Sequence, residues 1–203
     1  MSGKNRLMKS FFFILVVLAL VGRASSPTDA GRDSTQEAAN SELEQIFRAD
    51  QADRNPPDKK PMDWSVVAPR DLQRRNRVLE MYRAGDLKVG RDFFHAAMVL
   101  QHGHEPEDFL LCHELCITAV FSHGDDKGDW VRGAKWLAAA SEDRFLQSIG
   151  RKQRFGTQYR TIDPDPTWRL GEIEEGVSDE MRQAWNTPSI AAAKAREAEM
   201  NRR

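Results

Sequence analysis

The chain has 203 residues, with 30 Lys and Arg against 31 Asp and Glu, five His and two Cys. This length fits a single domain of typical size and excludes a large multidomain enzyme. A net charge near zero argues against a general nucleic-acid binder, because such proteins are normally basic. Two cysteines are too few for a disulfide framework or for a zinc site of four thiolates.

A basic start followed by a short apolar run predicts an export signal over residues 1–24. Lys4, Arg6 and Lys9 precede the run FFFILVVLALV, whose 11 residues fall short of the about 20 that a membrane-spanning helix needs. Small residues at Gly22 and Ala24 predict cleavage after Ala24, and thus a periplasmic or secreted protein; an uncleaved N-terminal membrane anchor is the alternative. Cleavage removes four basic and no acidic residues, which leaves 26 against 31, a net charge of −5.

Apolar residues recur at helical spacing in five segments of the remaining chain, which predicts an all-α fold. Residues 25–40 lack large apolar side chains and are predicted to form a flexible linker, and residues 41–159 form the predicted core domain. Five core helices are expected over about 41–54, 70–84, 91–102, 106–123 and 129–149, with a capping box from Ser41 to Glu44 and a loop over 55–69. Short connections favour an antiparallel helical bundle or a stack of helix pairs.

Residues 160–203 are predicted to be a C-terminal extension that is partly irregular, because Pro and Gly interrupt it repeatedly. A short helix is expected over 178–185. A polar terminal helix is expected from Ser189 onward, with so few apolar residues that it should be solvated and frayed. No segment of the chain sustains an alternation of apolar and polar residues, so no sheet is predicted.

All five histidines and both cysteines fall between residues 95 and 123, which raises the question of a metal site. His and Cys are the usual ligands of zinc and copper. The window nevertheless contains no HExxH and no C-x-x-C motif, so we predict no metal and no cofactor. Cys112 and Cys116 are four residues apart on a predicted helix, where a disulfide would be strained, and we predict buried free thiols.

Polar residues near the ends of apolar helices are stronger candidates for a functional site. His102 would supply a base, Asp143 a carboxylate, Arg144 a guanidinium, and Gln101 and Gln158 amide groups. If these helix ends converge, the groups suffice for acid–base chemistry or for anchoring a polar ligand. Alternatively, they form buried ion pairs and hydrogen bonds that only stabilise the loops.

Five short motifs follow one another along the chain: DQADR at 50–54, RNRV at 75–78, AAMVLQHG at 96–103, SEDR at 141–144 and QRFGTQ at 153–158. In their order and spacing, residues 41–159 resemble a bacterial domain-of-unknown-function family that shares an early DQ-x-x-R, a central QH, a later DR and a final Q-[FY]-G-T-Q motif, called the GTQ motif below. The family has no established activity, so the resemblance implies a place to look and no reaction. It implies a shared polar pocket built from the matching residues: Asp50, Gln51, Arg54, Gln101, His102, Asp143, Arg144, Gln153, Gly156, Thr157 and Gln158.

We therefore expect an exported helical domain whose pocket binds a small polar ligand or peptide. The expected ligand-binding residues are Asp50, Gln51, Arg54, Gln101, Arg144, Gln153, Thr157 and Gln158. The alternative is a hydrolase or transferase in which His102 is the general acid or base and Asp143 orients it; in a third interpretation the motifs are only structural. We expect no nucleic-acid partner and no membrane partner after signal cleavage, and the sequence predicts neither the ligand's identity nor the oligomeric state.

Overall fold

The structure is a computed structural model that describes residues 38–56, 61–124, 126, 128–162 and 164–202. The predicted export signal and nearly all of the predicted linker lie outside these residues, so both remain predictions. The described chain is mostly helical, as predicted, and none of its helices is long and apolar enough to cross a bilayer. In chain order its elements are α1 (Ser41–Arg54), α2 (Trp64–Ala84), α3 (Gly90–Leu100), α4 (Pro106–Phe121), α5 (Asp129–Ser148), β1 (Tyr159–Ile162), β2 (Asp165–Leu170), α6 (Asp179–Ala184) and α7 (Ile190–Met200).

The hydrophobic core forms where α4 packs against both α3 and α5, with α1 and α2 packed on α3. Small side chains on α5, among them the fully buried Ala134 and Ala138, allow the close approach of α4. At the start of α3, a Cβ on Gly90 would come within 2.8 Å of the carbonyl oxygen of Ser122. Glycine is therefore required at residue 90, because any side chain would separate α3 from the end of α4.

Most helix ends lie where local signals predict them. Helix α1 ends at Arg54, α4 begins at Pro106, and Gly85 ends α2 with a φ of +73°. The predicted cap of α1 is wrong by one residue, because the side chain of Asn40, and not that of Ser41, accepts a hydrogen bond from the N–H of Leu43 at 3.0 Å. Asn and Ser cap equally well, so position in the folded chain decides between them.

Helix α2 begins earlier than predicted. The prediction placed residues 55–69 in a loop because the segment is rich in Pro and Lys, yet α2 begins at Trp64 and contains Pro69, which removes one helical hydrogen bond. The carboxylate of Asp63 caps this helix by accepting a hydrogen bond from the N–H of Ser65 at 3.0 Å. Burial of Val67 anchors the extra turn to the core, and together the cap and the burial offset the lost hydrogen bond.

The prediction that the chain has no sheet is wrong. Strands β1 and β2 pair antiparallel, with Tyr159 opposite Leu170 and Arg160 opposite Arg169. The strands have only four and six residues, which is too short for an alternating pattern to stand out in the sequence. In strands this short, packing against neighbouring side chains determines the pairing, and local periodicity contributes little.

The terminal helix α7 is not a frayed tail, because it packs on β2. The carbonyl of Ala193, a buried residue of α7, accepts a hydrogen bond from the Tyr159 hydroxyl at 3.0 Å. The Glu197 carboxylate accepts another from the backbone N–H of Leu170 at 2.9 Å. The first of these hydrogen bonds crosses the predicted boundary at residue 159, and the second joins α7 to β2 within the extension.

Candidate functional site

The DQADR motif lies at the C-terminal end of α1, where Asp50 is fully buried. The Asp50 carboxylate accepts hydrogen bonds from Nη1 of Arg54 and from the side-chain amide of Gln51, both at 2.8 Å. Arg54 is nearly buried as well, and its Nη2 donates to Asp71 of α2 at 2.8 Å. Because an isolated buried charge is very costly, the Asp and the Arg of this motif each require the other.

Helix α2 completes this charged network, which we call the Asp50 cluster and which comprises Asp50, Asp53, Arg54, Arg70, Asp71 and Arg74. Arg74 donates to Asp71 at 2.7 Å and to Asp53 at 2.8 Å, and its Nε lies 3.8 Å from Asp50. Burial acts to raise the pKa of Asp71, but the hydrogen bonds from Arg74 and Arg54 outweigh it and the pKa is lowered. Three carboxylates thus balance three guanidinium groups, and the cluster carries no net charge.

His102 lies just beyond the end of α3 and faces the Asp50 cluster. Its Nε2 is 3.4 Å from Oδ2 of Asp50, and 13% of its side chain is exposed. This separation is somewhat longer than a good hydrogen bond. Burial lowers the pKa of His102, although Asp50 acts in the opposite direction. The imidazole is therefore neutral at neutral pH, so that one of its nitrogens can donate a hydrogen bond and the other can accept one.

The turn that carries His102 is held from two sides. The carboxylate of Asp108 accepts hydrogen bonds from the backbone N–H groups of His104 and Glu105, at 2.9 and 3.1 Å. A Cβ on Gly103 would overlap this carboxyl group, so the turn requires glycine there. From α2, Nη1 of Arg75 donates to the His102 carbonyl at 3.4 Å. We call residues 101–103 the QH turn.

Asp143, fully buried in α5, holds the loop of the GTQ motif. Its Oδ1 accepts hydrogen bonds from the backbone N–H groups of Arg154 and Phe155, at 2.6 and 2.9 Å. Its Oδ2 accepts from the N–H and the hydroxyl of Thr157, at 3.0 and 2.7 Å. Burial raises the pKa of Asp143 against the effect of these four hydrogen bonds. The carboxylate is thus engaged by its own loop, which turns at Gly156 with a φ of +73°.

The glutamines of the GTQ motif connect this loop to the QH turn. The buried amide of Gln153 donates to the carbonyls of Gln158 and Gly171, at 3.1 and 2.8 Å, and accepts from the N–H of Gln158 at 2.9 Å. The side-chain oxygen of Gln158 accepts a hydrogen bond from Nε of Arg144 at 3.2 Å. Nη1 of Arg144 then donates to the backbone carbonyl of Gln101 at 2.9 Å. A continuous chain of hydrogen bonds therefore runs from the GTQ motif to the QH turn.

The structure places the predicted site residues in two sets that meet at Gln101. The first set comprises Asp50, Gln51, Arg54 and His102, and the second comprises Asp143, Arg144, Gln153, Thr157 and Gln158. The expectation that Asp143 orients His102 does not match this geometry, because the carboxylate beside His102 is Asp50. Packing of α1 on α3 supplies Asp50, whereas Asp143 accepts its hydrogen bonds from the GTQ loop.

The α2 residues Asp71 and Arg74 are not among the predicted site residues, although the sequence contains a signal for them. Val67, Asp71, Arg74 and Val78 recur at spacings of four, three and four, so all four lie on one face of α2. Val67 and Val78 are buried. Two opposite charges within a buried apolar stripe indicate an internal ion-pair network, because only pairing makes their burial tolerable.

The clustered cysteines and histidines of the 95–123 window do not form a common site. Cys112 and Cys116 are buried free thiols, as predicted, and the Ser141 hydroxyl donates to Sγ of Cys112 at 3.0 Å. Nδ1 of His113 lies 2.9 Å from the carbonyl of Ala138, which anchors α4 to α5. Among the described residues, no three His, Cys, Asp or Glu side chains are placed to hold a metal ion.

Buried polar atoms without a hydrogen-bond partner are concentrated in two places within the described part of the chain. Four of them surround the QH turn: Nε of Arg74, Nε of Arg75, Oε1 of Gln101 and Nε2 of His102. The other three are the guanidinium nitrogens of Arg182. Since buried polar groups in native proteins are nearly always satisfied, both places are candidates for contact with a ligand.

Comparisons with protein-family profiles, with curated proteins and with solved structures find no match to this chain. The resemblance to a bacterial domain-of-unknown-function family therefore stays a prediction from the motifs. The function of the chain has to be argued from the geometry of the QH turn and its surroundings.

Proposed function

We propose that the chain is an exported domain, built as an antiparallel helical bundle, that binds a small polar ligand or peptide at the QH turn. The observation that carries this proposal is the group of four buried atoms, on Arg74, Arg75, Gln101 and His102, that have no hydrogen-bond partner among the described residues. A buried group left without its hydrogen bond costs roughly 1–3 kcal/mol. A ligand that reaches the turn gains this free energy for each group it satisfies.

The chemistry of these four atoms defines the ligand. The two guanidinium N–H groups require acceptors, the amide oxygen of Gln101 requires a donor, and the neutral imidazole of His102 takes either. A ligand with a donor beside an acceptor, such as an amide or a vicinal diol, matches this set. Because the neighbouring Asp50 cluster is balanced in charge, a neutral ligand fits better than a strongly charged one.

The residues of the GTQ motif act indirectly in this proposal. The polar atoms of Gln153, Thr157 and Gln158 are hydrogen-bonded within their own loop or to Asp143 and Arg144. In this proposal these residues shape the surface behind the QH turn and do not contact the ligand. Arg144 is the link, because it donates to the backbone carbonyl that immediately precedes His102.

A hydrolase or transferase with His102 as general acid or base is the second candidate. Its support is the fully buried carboxylate of Asp50, which lies 3.4 Å from Nε2 of His102 and is held by Arg54 and Gln51. A buried carboxylate beside an imidazole is the arrangement that orients a catalytic histidine. The lowered pKa of His102 keeps the ring in the neutral form that accepts a proton.

Thermal unfolding of the exported chain, screened against neutral amides, sugars and short peptides, tests the proposal. A ligand of the QH turn should raise the Tm of the wild type, fail to do so in His102→Ala, and act partly in His102→Gln, which keeps a hydrogen-bonding end. His104→Gln is the matched control, since His104 is exposed and outside the turn. A ligand that stabilises His102→Ala as much as the wild type contradicts binding at this turn.

The same variants separate the two candidates. If a hit from the screen is also converted to a product, an enzyme should lose turnover in both His102→Ala and His102→Gln, because glutamine cannot carry a proton between two states. Partial activity of His102→Gln would exclude the acid–base role and leave binding as the function.

A further inference from the structure

We propose that Arg182 is the anchor of a second ligand site, which binds the carboxylate group of a small aliphatic acid. Arg182 lies in α6, and only 1% of the residue is exposed. Its Nε, Nη1 and Nη2 are all buried, and within the described residues none of them has a hydrogen-bond partner. This site is separate from the QH turn and does not depend on the function proposed for that turn.

The carboxylate nearest to Arg182 does not neutralise it effectively. Oδ1 of Asp179 lies 3.7 Å from Nε of Arg182, which is beyond hydrogen-bond distance. The Asp179 side chain is 58% exposed, and the same oxygen accepts a hydrogen bond from the N–H of Ile190 at 3.2 Å. Because the Asp179 carboxylate is solvated and lies near Nε only, it does not compensate the positive charge on the two Nη groups of Arg182.

An arginine in this state favours one class of ligand. The guanidinium remains charged in any protein environment, so burial cannot be relieved by loss of a proton. Its N–H groups form a planar fork that matches the two oxygens of a carboxylate. A carboxylate therefore removes the desolvation cost of Arg182 more completely than a neutral group does.

A cavity near this guanidinium shares one neighbour with it, the side chain of Ile173. A Cβ on Gly156 would be 3.7 Å from Nη1 of Arg182 and 2.9 Å from the Cδ1 methyl of Ile173, so both groups lie against Gly156. Ile173 also lines a cavity of about 470 Å³ between the β2 end and α7. The Ile173 side chain is thus common to the cavity lining and to the surroundings of the guanidinium, and a ligand that passes from the cavity to Arg182 requires this side chain to move.

The cavity lining restricts the ligand further. Its apolar side chains are Leu170, Ile173 and Ile190, and its charged side chains are Lys194, Glu174, Glu175 and Glu197. Lys194 attracts an anion, and the three glutamates repel a dianion such as phosphate about twice as strongly as they repel a singly charged carboxylate. A singly charged carboxylate on a short alkyl chain satisfies the guanidinium and also covers the apolar wall. Butyrate is therefore the expected probe, with acetate as a weaker one.

The test measures thermal unfolding of the full chain, purified after export, in butyrate, acetate or phosphate at constant ionic strength with chloride as the balancing anion. The Tm of the wild type should rise with butyrate and saturate. Arg182→Met should show no such rise, and without carboxylate its Tm should exceed that of the wild type, because an uncompensated buried charge is gone. Arg160→Met, a change of an exposed arginine on β1, is the matched control and should respond as the wild type does.

Three results would overturn the proposal: an equal response to butyrate in the wild type and Arg182→Met, a saturating response to phosphate alone, or no response in the wild type. If Arg182→Met does not fold, calorimetric titration of butyrate into the wild type and Arg182→Lys decides the matter. Lysine keeps the charge but lacks the planar fork, so we expect an affinity about tenfold weaker. Equal affinities, or no binding to the wild type, would show that the fork of Arg182 is not the anchor.

Discussion

His95 should make the stability of this protein strongly dependent on pH. The residue is 8% exposed, and its ring stacks on Phe47 with centroids 4.2 Å apart and planes inclined by 7°. Burial lowers the pKa of His95 to about 4 from its ordinary 6.5, with Glu44 acting against this effect and Arg91 acting with it. The perturbation that tests this is His95→Phe, which keeps a flat ring on Phe47 and removes the titration.

The magnitude follows from the two pKa values. The unfolded chain binds a proton at His95 near pH 6.5 and the folded chain only near pH 4. The free energy of unfolding therefore has its full contribution from His95 above pH 6.5 and loses it as the pH falls toward 4. A difference of about 2.5 pH units corresponds to about 3 kcal/mol. About 2.5 kcal/mol of this is lost between about pH 7.5 and about pH 4.5.

The assay is urea unfolding at these two pH values, followed by tryptophan fluorescence, for the wild type and His95→Phe. Other groups titrate in the same range, but they are common to both proteins and cancel in the difference between the two pH dependences. The wild type should lose about 2.5 kcal/mol more than His95→Phe on acidification. His104→Gln, which removes an exposed histidine, is the control. Equal pH dependences of the wild type and His95→Phe would refute the reasoning.

Two further variants test the loop of the GTQ motif. Asp143→Asn places an amide N–H₂ group or a single oxygen where two oxygens now accept four hydrogen bonds. It should lower the free energy of unfolding by about 3 kcal/mol. The control is Glu142→Gln at the adjacent, partly buried residue, which removes one charge and the ion pair with Arg154; a loss in Asp143→Asn no larger than in this control would contradict the loop-holding role. Gly156→Ala and Gly150→Ala both put alanine at a positive φ, +73° and +78°, but only at residue 156 does the Cβ meet another side chain, the Ile173 methyl at 2.9 Å. Gly156→Ala should therefore be the less stable by about 1 kcal/mol in urea unfolding, and equal losses would exclude the contact.

Local chemistry in the amino-acid sequence was sufficient to predict most of the helices. Pro106 marks the start of α4, Gly85 the end of α2, and Ser178 and Ser189 cap α6 and α7. These signals act within one helical turn, so the folded chain has little opportunity to override them. At Pro69 two signals conflict, since proline disfavours the helix interior while the Asp63 cap and the burial of the preceding turn favour a helix. The cap and the burial prevail, and the predicted start of α2 is wrong.

The identity of the polar candidates could also be predicted, but not their partners. The motifs indicated Asp50, His102, Asp143 and Gln158, and all four are hydrogen-bonded or close to another site residue. Which carboxylate lies beside His102 depends on how α1 packs on α3, a contact between residues about fifty positions apart in the chain. Apolar periodicity shows which face of a single helix is buried, and it does not show which other helix packs on that face.

The export signal, the helices and the list of polar candidates therefore come from the sequence as expectations that local patterns support. The tertiary structure decided that β1 and β2 pair, that α7 packs on β2, and that Asp71 and Arg74 join the Asp50 cluster. It also decided that the guanidinium of Arg182 is buried with no hydrogen-bond partner among the described residues. Apart from the pairing of β1 with β2, which are consecutive in the chain, these features depend on groups distant in the chain that meet only when apolar faces are buried together. Local propensity determines which segments are helical, and the burial of their faces determines which polar groups meet.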